Sequence, residues 1–213
     1  MLEKASAAVK ETPFVEFRLD YLEKPLLALP KIKHFFADNT AATGIATCRR
    51  AANGGKFAGN IAAEIEVLSK AAAAGFHIVD VELESAESMR KAYLQKLRDT
   101  GVALIISHHD FHATKDLEGI YKRIIPFHPD FIKIVPTAKT LSDNVTLMRF
   151  IERMEDHSNI IGICMGDAGI ISRVLGLRAG SAFTFAAATP GEETGPGQIA
   201  ARTLIETYRI DQV

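Results

Sequence analysis

A lysine inside an apolar segment is the residue of this sequence whose setting most favours covalent chemistry. Lys133 lies between Ile132 and Ile134 in FIKIVP (131–136). Burial disfavours a charged ammonium, so it lowers the pKa of a lysine and favours the neutral amine, which can form a Schiff base with a ketone. The alternative is a lysine at a strand end whose ammonium reaches solvent, and the segment alone leaves both interpretations open.

Three histidines and an aspartate lie together in SHHDFH (107–112), at the end of another apolar segment. Imidazole, with an unperturbed pKa of about 6.5, transfers protons near neutral pH. Adjacent strand residues point to opposite faces, so His108 and His109 are poorly placed to bind one ion, and no cysteine accompanies them. We therefore expect proton transfer here, and neither a metal site nor a cofactor.

Charged residues recur two positions apart in other apolar segments. Glu16 and Arg18 share one face of a predicted strand, as do Asp80 and Glu82. Internal ion pairs that only stabilise the sheet are one interpretation, and they account well for Asp80 and Glu82. Arginines at strand ends are instead suited to bind a carboxylate or phosphate through forked hydrogen bonds. The arginines in question are Arg18, Arg49 and Arg173.

Seven short segments, rich in Val, Ile and Phe and bounded by turn residues, predict the strands that position these side chains. They cover residues 14–20, 44–49, 77–83, 102–110, 131–136, 159–165 and 181–187. Helical spacing of apolar residues predicts helices over 2–11, 60–75, 85–101, 142–156 and about 198–208. Ser85 is a candidate N-cap for the third of these helices. Residues 189–198, rich in Gly and Pro, predict a mobile loop that serves as a lid or a plain connector.

The alternation of strands and helices predicts a parallel α/β sheet. Polar residues at the ends of several strands, without a GxGxxG or P-loop motif, favour a (β/α)8 TIM barrel over a doubly wound sheet. We expect residues 1–213 to form a single barrel domain. A closed barrel needs eight strands, so the first strand is expected to be missing from this chain or overlooked.

Composition excludes several classes of protein. The net charge of −1 shows no basic excess of the kind that nucleic-acid-binding proteins carry. No run reaches the roughly 18 apolar residues of a membrane span, and the N-terminus lacks the apolar core of a secretory signal. Cys48 and Cys164, each in an apolar segment, predict buried thiols and a reducing, cytoplasmic location.

Eight motifs, in order and with matching spacing, resemble those of the type I 3-dehydroquinate dehydratases from about residue 14 to residue 198. The motifs are EFRLD (16–20), TCRRAANGG (47–55), DVEL (80–83), SHHDF (107–111), KIV (133–135), MGDAGIISR (165–173), GSAFTF (180–185) and GPGQ (195–198). The resemblance implies a (β/α)8 barrel, usually a homodimer, that uses no metal or cofactor. It also implies conversion of 3-dehydroquinate to 3-dehydroshikimate plus water, in the shikimate pathway of aromatic amino-acid biosynthesis.

The resemblance implies roles for individual residues as well. Lys133 matches the lysine that forms an imine with the C3 carbonyl of the substrate. His109 matches the general base that removes the C2 proton and then helps the C1 hydroxyl leave as water, and Arg173 matches the arginine that holds the substrate carboxylate. The other matches hold hydroxyl groups, line the pocket or contact substrate from the loop: Glu16, Arg18, Arg49, Met165, Phe185, Thr194 and Gln198.

Two features depart from the family pattern. Asn53 stands where the family commonly has a glutamate that orients the catalytic histidine, and an amide cannot stabilise an imidazolium by charge. We therefore expect a lower or pH-shifted activity. The family's first strand, before the opening helix, is not seen here, and a gap would expose two strand edges. The tail that begins at Gln198 resembles the junction to a fused shikimate dehydrogenase domain, but it carries no nucleotide-binding fingerprint.

Two other functions stay open. A class I aldolase acting on a small keto substrate would use Lys133 equally well, but it does not explain the SHHDF, ISR and PGQ motifs. A non-catalytic barrel kept as a dimerisation scaffold would explain Asn53 and the missing strand. It would not explain why Lys133, His109 and Arg173 all occur.

Overall fold

The protein is described here by a computed structural model that covers residues 1–89, 91–154 and 159–210. Within these residues, six strands form one sheet in the order of the chain. They are β1 Phe14–Arg18, β2 Thr43–Thr47, β3 Ile78–Glu82, β4 Ala103–His109, β5 Phe131–Val135 and β6 Ile160–Gly162. β1 with β2, β2 with β3, and β5 with β6 pair in parallel. The predicted parallel α/β fold is confirmed, and the stepwise order differs from the reversal at the switch point of a doubly wound sheet.

Helices connect the strands, and most of the predicted ones are present. Within the described residues they are α1 Leu2–Ala8, α2 Pro25–Asp38, α3 Ile61–Ala73, α4 Leu83–Ser88, α5 Lys91–Arg98, α6 Leu117–Ile124, α7 Leu141–Met154, α8 Ile170–Leu175 and α9 Ala201–Tyr208. α3 begins after Asn60, whose side chain accepts a hydrogen bond from the backbone of Ala63. None of these helices is long and apolar enough to span a membrane.

Two of the predicted elements differ in the structure. The helix predicted over 85–101 is two helices, α4 and α5, because the backbone of Met89 is extended. Ser85 lies inside α4 and does not cap a helix. The segment 181–187 is not a strand of the sheet among the described residues. The Gly162 N–H donates to the hydroxyl of Ser181. In a continuous strand pairing this N–H would donate to a backbone carbonyl of the neighbouring strand instead.

By its internal contacts the chain divides into two compact units, Met1–Ile106 and Ser107–Val213. The first unit has an aromatic core. Phe17 of β1 makes edge-to-face contacts with Phe35 and Phe36 of α2, at ring-centroid distances of 5.6 and 5.7 Å. Such pairs contribute about 0.5–1.5 kcal/mol each beyond the area they bury. The cluster thus fixes β1, the strand that carries Glu16 and Arg18.

The second unit has an aliphatic core. Ile151 of α7 packs on Gly162 of β6 so closely that a Cβ at that glycine would lie 2.5 Å from the Ile151 Cδ1 atom. Leu204 of α9 is fully buried and packs with Ala201 and Ile210. The contact between Ile151 and Gly162 holds α7 against β6, and the residues of β6 are buried.

Both cysteines are free and buried, as predicted. Burial raises the pKa of the Cys164 thiol to about 11 and also raises the pKa of the Cys48 thiol. A thiol with a raised pKa is mostly protonated at neutral pH and is a poor nucleophile. Neither cysteine is therefore a candidate for covalent chemistry.

Candidate active site

Lys133 lies in the middle of β5 and is only 5 % exposed. Its Nζ atom lies over the ring of Phe185, 3.8 Å from the ring centroid. The face of an aromatic ring attracts a cation, so the ring gives the lysine head group a defined position in a buried setting. The interpretation of Lys133 as a strand-end lysine that reaches solvent is therefore wrong.

A row of aromatic rings supports the contact to Lys133. Phe185 packs on Phe183 at a centroid distance of 5.6 Å, and Phe183 packs edge-to-face on Phe131 of β5 at 5.4 Å. Because Phe131 and Lys133 are two apart on the same strand, they share one face of the sheet. The row of rings and the lysine therefore lie on the same side of β5.

His109 ends β4, the strand next to β5, and its ring is half-buried. The ring stacks on Phe111 at a centroid distance of 6.2 Å. The ends of the two strands are tied together, because the Asp110 N–H donates to the Val135 carbonyl (3.0 Å) and the Thr137 hydroxyl donates to the Asp110 carbonyl (2.8 Å). The histidine and the lysine thus come from neighbouring strands, as the chemistry of a base next to an imine needs.

Arg173 of α8 is 3 % exposed. Its two terminal nitrogens donate to the carbonyls of Phe185 and Pro196, each at 3.1 Å, and its Nε atom is buried without a partner. Among the residues that the structure describes, no carboxylate forms an ion pair with it. Desolvation lowers the pKa of this guanidinium to about 10. A buried cation held only by neutral carbonyls is suited to receive an anionic group.

The loop at 189–198 is attached to the turn after β6. The Gly166 N–H donates to the Pro196 carbonyl (3.4 Å), and Gly197 has a φ of 75°, which favours glycine. A Cβ on Gly197 would lie 2.6 Å from the Gly166 carbonyl oxygen, so the loop approaches this turn as closely as a backbone can. Met165, a predicted pocket residue, immediately precedes the turn and is buried.

Thr194 and Gln198 contact each other within this loop. The Gln198 Oε1 atom accepts from the Thr194 N–H at 2.7 Å and from its hydroxyl at 3.4 Å. Thr194 is exposed and Gln198 is half-buried. The structure therefore brings these two predicted residues together and places both near Pro196, to which Arg173 donates.

The predicted residues of the first unit form two groups of polar contacts. In one group, the buried guanidinium of Arg49 donates to Glu82 at 2.8 Å and to Asp80 at 3.1 Å. Desolvation lowers the pKa of Arg49, but the charges of the two acids outweigh it, and the net direction is upward. The interpretation of Asp80 and Glu82 as ion-pair partners agrees with these contacts.

In the second group, Arg18 pairs with an acid that sequence analysis overlooked. Both ends of its guanidinium donate to the buried Asp20, at 2.9 and 2.7 Å. Glu16 instead accepts from the Thr47 hydroxyl at 2.6 Å. The i, i+2 spacing in EFRLD was the available signal, but Asp20 lies beyond the last residue of β1, where strand periodicity no longer predicts direction.

Asn53, the departure from the family pattern, is next to a carboxylate. Its amide nitrogen donates to Glu84 of α4 at 3.4 Å, and its Oδ1 atom is buried without a partner. A buried carbonyl oxygen without a donor is unfavourable by about 1–3 kcal/mol. Asn53 is therefore not an optimal residue for this position.

The family resemblance implies that a glutamate at this position orients the catalytic histidine. On that hypothesis we expect Asn53→Glu to move the acid limb of the pH–rate profile to higher pH, because a nearby carboxylate favours imidazolium over neutral imidazole. The measurement is kcat/KM for 3-dehydroquinate as a function of pH. Glu84 would repel the new carboxylate, so the double variant Asn53→Glu/Glu84→Gln serves as the control. An unchanged profile in both variants would contradict the proposed role of this position.

A third buried network in the first unit was not predicted. Glu64 of α3 is 2 % exposed and accepts from Arg50 at 3.0 Å and from the hydroxyl of Ser85 at 2.8 Å. Desolvation raises the pKa of Glu64 to about 7, against the opposing effects of Ser85 and Arg50. The only signal in the sequence was an acidic residue on the apolar face of a predicted helix.

Glu64 makes a testable contribution to stability. The free energy of unfolding is expected to fall as the pH rises from 4.5 to about 7, because the folded chain keeps a proton on Glu64 that the unfolded chain has released. The loss is roughly 3 kcal/mol. Urea unfolding at several pH values measures it, with Glu64→Gln expected to remove that part of the slope. Glu66→Gln, at an exposed position of α3, is the control. If the free energy of unfolding depends on pH equally in the unsubstituted protein, Glu64→Gln and Glu66→Gln, then Glu64 does not have a raised pKa.

The fold and these side chains define a class of protein: an α/β enzyme with polar residues in and directly after its parallel strands. The comparison with protein families is more specific, because the family model for type I 3-dehydroquinase matches residues 1–213. The chain belongs to the type I 3-dehydroquinase family, whose members are hydro-lyases.

Individual relatives agree with this assignment. The chain is 36 % identical over 168 residues to the 3-dehydroquinate dehydratase of Dehalococcoides mccartyi. The aligned region covers 78 % of this chain and 74 % of the relative. It is similar in fold to the type I 3-dehydroquinate dehydratase of Clostridium difficile solved with covalently modified comenic acid, with a TM-score of 0.82 and 24 % identity. The superposition covers 97 % of this chain and 85 % of that one. It also resembles a dehydroquinate dehydratase and shikimate dehydrogenase from S. pombe, with a TM-score of 0.73, 26 % identity and coverage of 92 % of this chain but 39 % of that one.

Proposed function

We propose that this chain converts 3-dehydroquinate to 3-dehydroshikimate and water through an imine on Lys133, with His109 as the proton-transfer group. The observation that carries the proposal is the position of Lys133, buried in β5 with its Nζ atom over the Phe185 ring. Membership of the type I family and the names of the relatives support the same substrate.

The first step forms the covalent intermediate. The Lys133 amine attacks the C3 carbonyl, the C3–oxygen bond breaks, and one water leaves as the imine forms. A protonated imine draws electrons from its neighbour, so the C2–H bond becomes acidic enough for a side-chain base. Burial of the lysine protects this intermediate from premature hydrolysis.

The second step is the elimination. His109 takes the C2 proton, the C–H electron pair forms an enamine, and the enamine expels the C1 hydroxyl. The proton held by His109 goes to that hydroxyl, which leaves as water. Hydrolysis of the remaining imine consumes one water, releases 3-dehydroshikimate and restores the Lys133 amine. The net reaction is the loss of one water.

Arg173 supplies the anion-binding part of the proposal. The substrate carries a carboxylate, and this guanidinium is a buried cation with only carbonyl partners and a free Nε–H. A carboxylate would form a forked, charge-assisted pair there. Because Arg173 also donates to Phe185, the same contact connects carboxylate binding to the ring over Lys133.

The remaining parts of the proposal follow from the family resemblance. Binding of substrate hydroxyls is assigned to Glu16, Arg18 and Arg49, and contacts from the loop to Thr194 and Gln198. We also propose a single (β/α)8 domain, a homodimer and a cytoplasmic location. The stepwise strand order and the similarity to solved dehydratases support the barrel, and the S. pombe structure supports a fused shikimate dehydrogenase domain in some relatives.

Two measurements test the proposed function. One follows the absorbance of the conjugated enone product with 3-dehydroquinate as substrate. The other reduces the protein with borohydride in the presence of substrate and locates the added mass by peptide mapping, with the adduct expected on Lys133 and none on the exposed Lys139. An adduct only with sugar-phosphate ketones would favour an aldolase, and absence of both turnover and adduct would favour a scaffold.

A further inference from the structure

The buried network of Arg50, Glu64 and Ser85 has no part in the proposed reaction. Ser85 is fully buried, Glu64 is nearly so, and the side chain of Arg50 is 17 % exposed. Burying a charged pair is unfavourable unless hydrogen bonds compensate it, so a network of this kind needs a structural or functional reason.

The hydrogen bonds of the network converge on the side chain of Arg50. Its Nε atom lies 3.0 Å from the Glu64 Oε2 atom and 3.3 Å from the Ser85 hydroxyl, and its Nη2 atom lies 3.1 Å from that hydroxyl. Ser85 in turn donates to Glu64 at 2.8 Å. Arg50 is thus anchored to two helices, α3 and α4, by one carboxylate and one hydroxyl.

The backbone of Arg50 closes the loop that follows β2. Its carbonyl accepts from Asn53 at 2.9 Å and from Gly55 at 3.0 Å. One residue earlier, the Arg49 carbonyl accepts from Phe57 at 3.0 Å. No Cβ fits at Gly55, because it would overlap the Arg49 carbonyl. The loop 49–57 is therefore compact and has Arg50 as its attachment point.

Arg49 and Arg50 are consecutive, yet their guanidinium groups serve different elements. Arg49 contacts Asp80 and Glu82 of β3, whereas Arg50 contacts α3 and α4. We infer that Arg50, anchored by Glu64 and Ser85, is a positioning residue that fixes the loop 49–57 and with it the guanidinium of Arg49. The inference rests on the proposed function, in which Arg49 binds substrate hydroxyls. A displacement of about 1 Å at a substrate-binding group lowers kcat/KM by as much as about 100-fold, so loss of this anchoring should have a measurable effect on that ratio.

The test compares Arg50→Gln, Arg50→Lys, Glu64→Gln and Ser85→Ala with the control Glu66→Gln. Glu66 lies on the same helix as Glu64 and forms an exposed ion pair with Lys70, so its substitution removes the same charge without touching the loop. Two readouts are used: KM and kcat for 3-dehydroquinate, and hydrogen exchange at the amides of Gly55 and Phe57. The exchange readout does not require turnover.

At pH 8, above the pKa of Glu64, loss of the charge-assisted contact between Arg50 and Glu64 is expected to raise KM and the exchange rate of the two amides about ten-fold in Arg50→Gln and Glu64→Gln. The value of kcat should stay within about two-fold, since these residues do not touch the reacting atoms. Ser85→Ala should give a smaller change, Arg50→Lys should recover part of the loss, and Glu66→Gln should behave as the unsubstituted protein.

The possible outcomes test the positioning role of Arg50 separately from the proposed dehydratase activity. Faster exchange with a raised KM supports the positioning role. Unchanged exchange, or faster exchange with an unchanged KM, overturns it while leaving the dehydratase proposal intact. An unsubstituted protein without turnover would overturn the dehydratase proposal, and exchange at Gly55 and Phe57 would still show whether Arg50 anchors the loop. Should Arg50→Gln fail to fold, Ser85→Ala gives the same comparison with a milder change.

Discussion

Lys133→Met is expected to lower the turnover of 3-dehydroquinate by roughly 10⁴-fold or more, because removal of a covalent nucleophile leaves only binding and proton transfer. Methionine keeps most of the volume and remains apolar, so the buried strand position loses its amine without a large cavity. Enone absorbance measures the rate, and borohydride reduction with substrate should give no added mass on the residue 131–136 segment.

The control for this experiment is Lys139→Met, at an exposed lysine six residues further along the chain. It should keep the full rate and the adduct on Lys133. Turnover by Lys133→Met at the rate of the unsubstituted protein would rule out the imine mechanism, even if the chain still produced 3-dehydroshikimate. A loss of turnover accompanied by loss of the folded state would be detected by thermal unfolding and would require Lys133→Gln instead.

The sequence predicts those parts of the fold that depend on local pattern. Six of the seven apolar segments are strands, because an apolar run bounded by turn residues is a property of neighbouring positions. The predicted seventh strand is not formed, although the Ala182 N–H donates to the Ile160 carbonyl of β6, because strand pairing depends on contacts between distant positions that a local pattern does not specify. The helix predicted over 85–101 is interrupted at Met89, where the spacing of apolar residues gives no warning.

The same distinction applies to the candidate site. The isoleucine neighbours of Lys133 left two interpretations open, a buried amine and a lysine that reaches solvent, and the structure shows that the side chain is buried. The partners of the charged groups could not be predicted, since they lie far apart in the chain. Glu82 pairs with Arg49 across 33 positions, and Pro196 accepts from Arg173 across 23. Such pairs depend on strand register and loop path, which composition and periodicity do not specify.

Arg173→Met is expected to separate activity from stability. The value of kcat/KM for 3-dehydroquinate should fall by roughly 100-fold or more, because the substrate carboxylate loses a buried, charge-assisted pair. Stability should change little, because loss of the hydrogen bonds to Phe185 and Pro196 opposes the gain from removing a guanidinium with an unpaired buried Nε–H. Activity assays and thermal unfolding of the same variant measure the two effects, and Arg178→Met, at an exposed arginine, is the control.

Ligand binding gives a second readout for Arg173. A carboxylate-bearing substrate analogue should stabilise the unsubstituted protein against thermal unfolding, and this stabilisation should be absent in Arg173→Met. If the analogue stabilises Arg173→Met as strongly as the unsubstituted protein at neutral pH, the carboxylate binds elsewhere, and the unpaired Nε–H of Arg173 must have another explanation.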